Sequence, residues 1–267
     1  MKVNGKIFVV TGGANGLGKQ IALTILNRGG FVCAVDRNEE ALIQFKSELP
    51  DKLKQKFQTE VVDLTQREEV EALPEKIRAQ FGKVDGIINN AGIIQPFVKV
   101  NDLDMKSIER VMNINFFSQV FMIKSFLPYL LKRPEAHIVN ISSMGGFLPV
   151  PGQSIYGASK AAVKLLSEGL YAELLQTNVS VSVVFPGAMH TNITQNSGVS
   201  TPDVGVDSRK IKMLEPNIAA QQIVDGIEKN KLRIFIGKDS KMMNFMYSMA
   251  PKFAIRMIAK QMQSLLD

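Results

Sequence analysis

The chain has 267 residues, of which 45% are apolar and 21% charged, a composition that excludes an intrinsically disordered chain and predicts one globular domain. Its single cysteine, Cys33, excludes an intrachain disulfide, and two histidines are too few for a metal site of recognisable spacing. The net charge of +7 invites a nucleic-acid interpretation, but no basic run carries interleaved aromatic residues, so we expect no nucleic-acid partner.

Short runs of β-branched and aromatic residues alternate with longer segments of helical periodicity. The runs are mostly apolar, which is typical of parallel strands buried on both faces of a sheet. The alternation predicts an α/β fold: a single-domain, doubly wound parallel sheet of about seven strands with helices on both faces. The predicted strands are residues 7–10, 31–35, 59–62, 86–88, 137–141, 181–185 and 232–236.

The first predicted strand runs into a glycine-rich turn, TGGANGLG, at residues 11–18. A helix that begins near Gly16 would point its free N–H groups and the positive end of its dipole at an anion such as a pyrophosphate. The spacing Gly12-x3-Gly16-x-Gly18 departs from the dinucleotide fingerprint Gly-x-Gly-x2-Gly. By itself, the turn therefore also fits a generic tight turn.

The carboxylate of Asp36 follows the second predicted strand, where it can accept hydrogen bonds from both ribose hydroxyls of an adenosine. It would repel a 2′-phosphate, whereas Arg37 could pair with one, and Asn15 offers no cation in the glycine turn. We therefore expect NAD rather than NADP as the cofactor. The alternative for Asp36 is a helix N-cap in front of Glu39 and Glu40.

Two prolines fall within predicted helices. Pro74 interrupts the helical pattern between residues 67 and 81, and Pro128 lies near the end of a long helix predicted for residues 105–131. Because proline lacks an amide hydrogen and its ring clashes with the preceding turn, we expect each proline to break or kink its helix.

Ser143, Tyr156 and Lys160 have the spacing Ser-x12-Tyr-x3-Lys. If Tyr156 and Lys160 share a helix, their separation of four residues stacks the ammonium beside the phenol on one face. A cation there favours the phenolate, so Lys160 would make Tyr156 a general base, and Ser143 could hydrogen-bond the same substrate oxygen. Taken singly, the serine also fits a turn or cap, and the Tyr–Lys pair also fits an ordinary surface helix.

A segment rich in serine, glycine, threonine and aspartate at about residues 190–215 lacks clear periodicity, and its length is typical of a lid over a substrate. We place this lid within a catalytic domain of residues 1–238. A methionine-rich, basic helical extension of residues 239–267 follows it.

The C-terminal extension is amphipathic. Residues 231–267 hold seven Lys/Arg and two Asp, a local charge of +5, and Lys252, Arg256 and Lys260 form a stripe at intervals of four. Such a helix can make weak contact with an anionic membrane surface, close with the lid over a bulky apolar substrate, or dock on its own core or a sister subunit. The apolar positions at helical spacing are Ala254, Met257, Ile258, Met262 and Leu265.

The order of these motifs resembles that of the short-chain dehydrogenase/reductase (SDR) family from residue 6 to 191, and less distinctly to residue 236. The glycine turn resembles the family's TGxxxGxG motif, and NNAG at residues 89–92 resembles the signature after its fourth strand. YGASK at residues 156–160 is similar to its YxASK motif, and residues 186–191 are similar to its PGxxxT stretch. The resemblance implies a Rossmann-type fold.

The resemblance also implies roles for single residues. Tyr156 would be the general acid/base, Ser143 would polarise the substrate oxygen, and Lys160 would hold the nicotinamide ribose. Asn115 would support a water beside Lys160 in a proton path to solvent. With the glycine turn and Asp36, the candidate cofactor-binding residues are Gly12, Asn15, Gly16, Leu17, Gly18, Asp36, Arg37, Asp63, Leu64, Asn90, Ala91, Gly92, Tyr156, Lys160, Pro186, Gly187 and Thr191.

The leading hypothesis is a cytoplasmic NAD(H)-dependent oxidoreductase that interconverts a secondary alcohol and a ketone, on a small-molecule substrate that is bulky and apolar. The resemblance implies a homodimer or homotetramer paired through helices near residues 105–131 and 155–177. Two alternatives are a non-catalytic dinucleotide-binding sensor or scaffold and a basic protein associated with a membrane surface. A pure binder has no physical need for a tuned phenol, so the presence of Tyr156 and Lys160 argues against the sensor.

Overall fold

The computed structural model of the chain describes residues 1–189, 193–199 and 213–263; Thr191, Leu265 and most of the predicted lid lie outside the described residues. Seven strands form one sheet in the order β3-β2-β1-β4-β5-β6-β7, and all neighbouring strands are parallel. The predicted doubly wound α/β sheet is therefore confirmed. The strands are β1 (Ile7–Thr11), β2 (Phe31–Asp36), β3 (Phe57–Val61), β4 (Gly86–Asn89), β5 (Ala136–Ile141), β6 (Val179–Pro186) and β7 (Arg233–Ile236).

The strands are apolar on both sides because both faces of the sheet are covered. Phe8 and Val10 of β1 enter the core on one face, and Val9 between them enters the core on the other. Side chains of a strand alternate between faces, so a strand between two helix layers needs an apolar residue at nearly every position.

Helices cover the sheet in two layers. On one face α1 and α2 pack against β1 and β2, and α9 packs against β6 and β7. On the other face α6 packs against β4 and β5, α7 packs against β5 and β6, and α4 packs against α6. The α-helices in the described ranges are α1 (Gly16–Asn27), α2 (Glu39–Glu48), α3 (Asp51–Lys54), α4 (Arg67–Phe81), α5 (Met105–Met112), α6 (Ser118–Leu130), α7 (Ser154–Glu173), α8 (Ile193–Ser197), α9 (Pro216–Glu228), α10 (Lys238–Met249) and α11 (Pro251–Gln261).

The two prolines do not break their helices, so that part of the expectation is wrong, and a kink at either one stays a prediction. Helix α4 runs without interruption through Pro74, and α6 runs through Pro128. Leu73 and Ile77 are fully buried beside Pro74, and Phe126 and Leu130 are fully buried around Pro128. Burial of these neighbours offsets the hydrogen bond that each proline cannot donate.

The strand order reverses between β1 and β4, so the chain leaves these adjacent strands towards opposite sides of the sheet. A crevice opens at the carboxyl ends of strands at such a point, and ligands of open α/β sheets bind there. The glycine turn follows β1 and the NNAG sequence begins at the end of β4, so both meet at this crevice.

No helix of the described residues combines the length and the hydropathy that crossing a membrane would require. In the same ranges, His, Cys, Asp and Glu side chains do not gather in any group of three that could hold a metal ion.

Candidate active site

A cleft of about 830 Å³ lies at the carboxyl edge of the sheet. It brings together most of the residues that the sequence predicts for the site. Those in its lining are Gly12, Asn15, Gly16, Leu17, Asp36, Arg37, Asp63, Leu64, Asn90, Ala91, Gly92, Ser143, Tyr156, Lys160, Pro186 and Gly187.

The glycine turn forms a cradle at the start of α1. Gly12 and Gly16 have φ values of +60° and +52°, in the left-handed region that favours glycine. No heavy atom lies within 4 Å of the position that a Cβ on Gly16 would take, so the space above the helix N-terminus is open. Open backbone N–H groups at a helix N-terminus fit a diphosphate, so the residues present suit a dinucleotide.

Gly18 has a different role from the one predicted for it, because it does not line the cleft. A Cβ on Gly18 would overlap the carbonyl oxygen of Gly12. The side-chain amide of Asn90 lies at the same place and donates to the carbonyl oxygens of Thr11 and Gly12 at 3.0 and 3.2 Å. Gly18 thus lets α1 pack against the turn, and Asn90 ties the turn to the end of β4.

Asp36 lines the cleft away from Ser143, Tyr156 and Lys160, because β1 and β4 lie between β2 and β5 in the sheet. Its Oδ2 accepts a 3.1 Å hydrogen bond from the backbone N–H of Ala14, and its Oδ1 accepts one of 3.1 Å from Asn38. The N-cap alternative for Asp36 is wrong, because Asn38 caps α2 by accepting from Ala41 at 3.0 Å. Arg37 is exposed beside Asp36 and also lines the cleft.

Tyr156 and Lys160 both lie on α7, as their spacing predicts. Lys160 is 3% exposed, and its Nζ donates a 3.0 Å hydrogen bond to the carbonyl oxygen of Ile141 at the end of β5. Ser143 follows β5 and accepts a 3.0 Å hydrogen bond from the backbone N–H of Gly145. The end of β5 and the start of α7 therefore hold the three side chains at one end of the cleft.

Burial sets the pKa values of the Tyr–Lys pair. It raises the pKa of the Tyr156 phenol, and a hydrogen bond with Ser143 offsets part of this rise. Burial also lowers the pKa of Lys160 to about 8. The sequence predicts that Lys160 favours the phenolate, but desolvation outweighs any such effect here because it disfavours both charged forms.

Asn115 lies beside the cleft, in a π turn (Asn113–Phe117) that joins α5 and α6. Its Oδ1 accepts a 2.8 Å hydrogen bond from Ile93 N–H, and its Nδ2 donates to the Ile93 carbonyl at 2.9 Å and to Ser159 Oγ at 3.0 Å. A Cβ on Gly92 would lie 3.1 Å from Lys160 Nζ and 3.3 Å from Asn115 Oδ1. Asn115 therefore fixes the loop after β4 against the lysine.

Two functional candidates escaped the sequence analysis. The side chain of Gln95 is buried and accepts hydrogen bonds at the N-terminus of α7, where Tyr156 lies. Arg110 lines the cleft and donates a 2.9 Å hydrogen bond to the carbonyl oxygen of Ser197, the last residue of α8. Neither residue belongs to a sequence motif. Each is identified as a candidate by a hydrogen bond to a residue that is distant in the sequence.

Helix α8 is the described helix of the predicted lid, and it covers one side of the cleft. Ile193, Gln195 and Asn196 line the cleft, and Ser197 Oγ accepts a 2.9 Å hydrogen bond from the backbone N–H of Ile94. The predicted closure of the C-terminal extension over the substrate is absent from the described residues, because α10 and α11 contribute none to the lining.

The C-terminal extension instead docks against the segment that follows β5. Ala254 and Ile258 are buried with Leu148, and Met257 and Met262 pack against them. At the start of α10, the carboxylate of Asp239 accepts a 2.9 Å hydrogen bond from Ala188 N–H, and Ser240 donates one of 2.8 Å to the Phe185 carbonyl. These contacts bear out the alternative in which the extension docks on its own core.

The family model of the short chain dehydrogenases matches residues 6–200. The chain belongs to that family. SadH of Mycobacterium tuberculosis, which is named as an oxidoreductase, is 32% identical over 244 residues that span 89% of this chain and 88% of SadH. The chain is thus an oxidoreductase of the SDR family.

Solved SDR structures share the fold. An SDR from Burkholderia phymatum, in complex with NAD, has a TM-score of 0.81 at 23% identity and covers 93% of this chain and 96% of its own. One from Burkholderia cenocepacia, in complex with NADP, has the same TM-score and identity and covers 97% and 99%. These neighbours show the Rossmann fold, and they carry different dinucleotides.

Proposed function

We propose that this SDR interconverts a secondary alcohol and a ketone with NAD(H). One observation carries the proposal: Ser143, Tyr156 and Lys160 line one end of the cleft whose other end is lined by the glycine turn and Asp36. A dinucleotide laid between these ends would place its nicotinamide beside a phenol that can exchange a proton. A non-catalytic sensor would not need a phenol at this position.

The chain's own residues would hold the dinucleotide. The N–H groups at the start of α1 would bind the pyrophosphate, Asp63 and Leu64 would contact the adenine, and Pro186 with Gly187 would border the nicotinamide. When bound, nicotinamide supplies the hydride acceptor or donor at its C4. The role of Thr191 in this binding stays a prediction, since that residue is outside the described ranges.

Tyr156 would give its proton to the carbonyl oxygen of a ketone, or take one from the hydroxyl of an alcohol. The raised pKa of the phenol keeps it protonated at neutral pH, which suits ketone reduction. With a pKa of about 8, Lys160 can gain or lose a proton near neutral pH and so pass one on. Ser143 would hold the substrate oxygen in line with Tyr156.

Asn115 would act through the loop rather than through a free amide. Both polar atoms of its side chain bind the Ile93 backbone, and its Nδ2 also binds Ser159. We propose that it fixes Gly92 and Ile93 beside Lys160, so that a water held there has a defined place in the proton path.

NAD is proposed over NADP because of Asp36. Asp36 lines the cleft after β2, where its carboxylate would accept hydrogen bonds from an adenosine ribose, and its negative charge would repel a 2′-phosphate. Arg37 beside it favours the opposite preference. A direct comparison of NADH and NADPH binding decides between the two residues.

The substrate is proposed to be bulky and apolar. Ile94, Ile114, Met189 and Ile193 line the cleft, with Arg110 among them as a charged residue. Apolar side chains around a few polar groups are typical of small-molecule sites, in which the polar groups orient the ligand.

Screening tests the proposed reaction. NADH oxidation and NAD reduction would be followed with ketones and secondary alcohols of graded size, from short aliphatic compounds to polycyclic ones. We expect turnover that rises with apolar size up to the limit of the cleft. Tight NADH binding with no turnover on any member of the panel would favour the sensor.

Assembly and location stay proposals. Leu165 on α7 is 71% exposed and Leu175 just after it is 58% exposed, which supports pairing of α7 with a second copy in a homodimer or homotetramer. Sedimentation equilibrium of wild type and Leu165→Ser would test this. A reducing, cytoplasmic location is proposed because the single cysteine, Cys33, allows no disulfide within the chain.

A further inference from the structure

The outward sides of α10 and α11 together form a surface that the fold does not use. Its apolar members are highly exposed: Phe245 is 69% exposed, Met249 is 72% exposed and Phe253 is 61% exposed. We call this surface the tail face. It consists of Lys241, Met242, Phe245, Met249, Lys252, Phe253, Arg256 and Lys260, all of them exposed.

The tail face adjoins the side by which the two helices dock. Met242, Phe245 and Met249 recur at i, i+3 and i+7, so they share one side of α10. Met243 and Tyr247, farther round the helix, pack towards Leu148, and the partly buried Met246 lies between the two sides. The exposed apolar residues of the tail face do not take part in this packing, so docking of the extension on the core does not explain them.

The charge of the tail face has one sign. Residues 240–263 contain four basic residues and no acidic one. The segment 231–267 carries +5 of the net +7, which leaves +2 for the other 230 residues (25 basic and 23 acidic). A stripe of basic residues beside exposed Phe and Met side chains is the pattern of helices that lie in a bilayer interface.

We propose that the tail face docks on the surface of a membrane that contains anionic phospholipids. Phe245, Met249 and Phe253 would enter the boundary between headgroups and acyl chains, and Lys252, Arg256 and Lys260 would meet the lipid phosphates. A second copy of the chain is a poorer occupant, because each copy would set its cations against those of the other.

Docking would bring the catalytic end of the cleft close to the lipid surface. Helix α10 begins beside Gly187, which lines the cleft, and Asp239 and Ser240 bind Ala188 and Phe185 in that loop. Delivery of an apolar substrate from the bilayer is a consequence that rests on the proposed function. The docking itself does not rest on it and is measured without turnover.

Vesicle flotation of the full chain tests the charge. We expect binding to vesicles of equal parts phosphatidylcholine and phosphatidylserine, little binding to phosphatidylcholine alone, and loss of binding at high salt. The variant Lys252→Gln/Arg256→Gln/Lys260→Gln should lower the partition coefficient about 100-fold, at about fivefold per cation. The matched control is Lys52→Gln/Lys76→Gln/Lys132→Gln, which removes three exposed cations elsewhere and should bind as wild type does.

A single tryptophan tests the insertion, because the chain has none of its own. In Phe253→Trp, the emission should shift to the blue when anionic vesicles are added. Ile43→Trp, at an exposed site on α2, should show no shift. Far-UV circular dichroism of each variant reports that the protein is folded.

Three results would overturn the proposal: equal binding to neutral and anionic vesicles, unchanged binding of the triple variant, or no shift in Phe253→Trp. A fourth such result is a wild-type protein that sediments as a dimer while the Phe245→Ser/Phe253→Ser variant sediments as a monomer. That result would assign the tail face to a second copy.

Discussion

The side-chain oxygen of Gln95 accepts a 3.0 Å hydrogen bond from the backbone N–H of Tyr156. The same oxygen accepts one of 2.8 Å from Ile155, and its Nε2 donates one of 2.9 Å to the carbonyl of Gly152. The first N–H groups of a helix have no partner within the helix, so a buried side chain that meets them fixes where the helix begins. Gln95 therefore couples the loop after β4 to the position of Tyr156.

Gln95→Leu should leave two N–H groups at the start of α7 without partners. We expect the free energy of unfolding to fall by about 1–3 kcal/mol, and kcat to fall while the KM for NADH changes little, because Tyr156 moves and the glycine turn does not. Gln95→Glu keeps the accepting oxygens and should recover much of kcat. The exposed Gln55→Leu is the control. A rise in the KM for NADH with unchanged kcat would contradict the role of Gln95 in positioning Tyr156.

Gly18→Ala should disturb the packing of α1 against the glycine turn. The new methyl group would overlap the Gly12 carbonyl, so we expect a loss of about 1–3 kcal/mol of unfolding free energy together with weaker NADH binding. Gly169 on α7 has open space around its Cβ position, and Gly169→Ala should stabilise the helix by about 0.5–1 kcal/mol. Chemical denaturation measures both changes. Equal stability of the two variants would contradict the packing role.

Asp36→Ala should weaken NADH binding about tenfold or more, because the two ribose hydroxyls lose the charged carboxylate to which they would donate hydrogen bonds. Discrimination against NADPH should relax at the same time, since the repulsion of the 2′-phosphate disappears. Fluorescence titration with each dinucleotide measures both effects, and Asp51→Ala, at an exposed site, is the control. An unchanged preference would shift the selectivity to Arg37.

His137 should make the fold sensitive to acid. Burial lowers its pKa from 6.5 to about 3, so the folded state keeps it neutral while the unfolded chain binds a proton. The free energy of unfolding should therefore fall as the pH drops from about 6.5 towards 3, by up to about 1.4 kcal/mol per pH unit from this group. His137→Asn should flatten that slope in urea denaturation series. If the free energy of unfolding of the variant depends on pH as that of the wild type does, His137 is not the origin of the acid sensitivity.

The parts of the molecule that depend on local pattern could be predicted from the sequence. All seven strands follow from short apolar runs, and the Tyr156–Lys160 pair follows from helical spacing. The Gln95 cap joins residues about sixty positions apart, and no periodicity signals such a contact. The continuity of α4 through Pro74 likewise depends on packing against the sheet, which local sequence does not show.

The electrostatics of the site also depend on the fold. A cation one turn from a phenol lowers the phenol's pKa when water surrounds both. In the folded protein both side chains are buried. Desolvation favours their neutral forms, so it raises the pKa of Tyr156 and lowers the pKa of Lys160. Burial of the pair is set by β5, α7 and the loop after β4, so spacing alone could not predict the direction for Tyr156.

The central claim is that the Tyr156 phenol exchanges the proton of the reaction at a bound dinucleotide. Tyr156→Phe removes that hydroxyl and keeps the ring, whereas Tyr171→Phe removes one from the same helix away from the cleft. The direct measurement is kcat together with the Kd for NADH in both variants. The account predicts that Tyr156→Phe binds NADH as wild type does and loses about 10² to 10⁴-fold in kcat, while Tyr171→Phe keeps both. A Tyr156→Phe protein that turns over at the wild-type rate would contradict it.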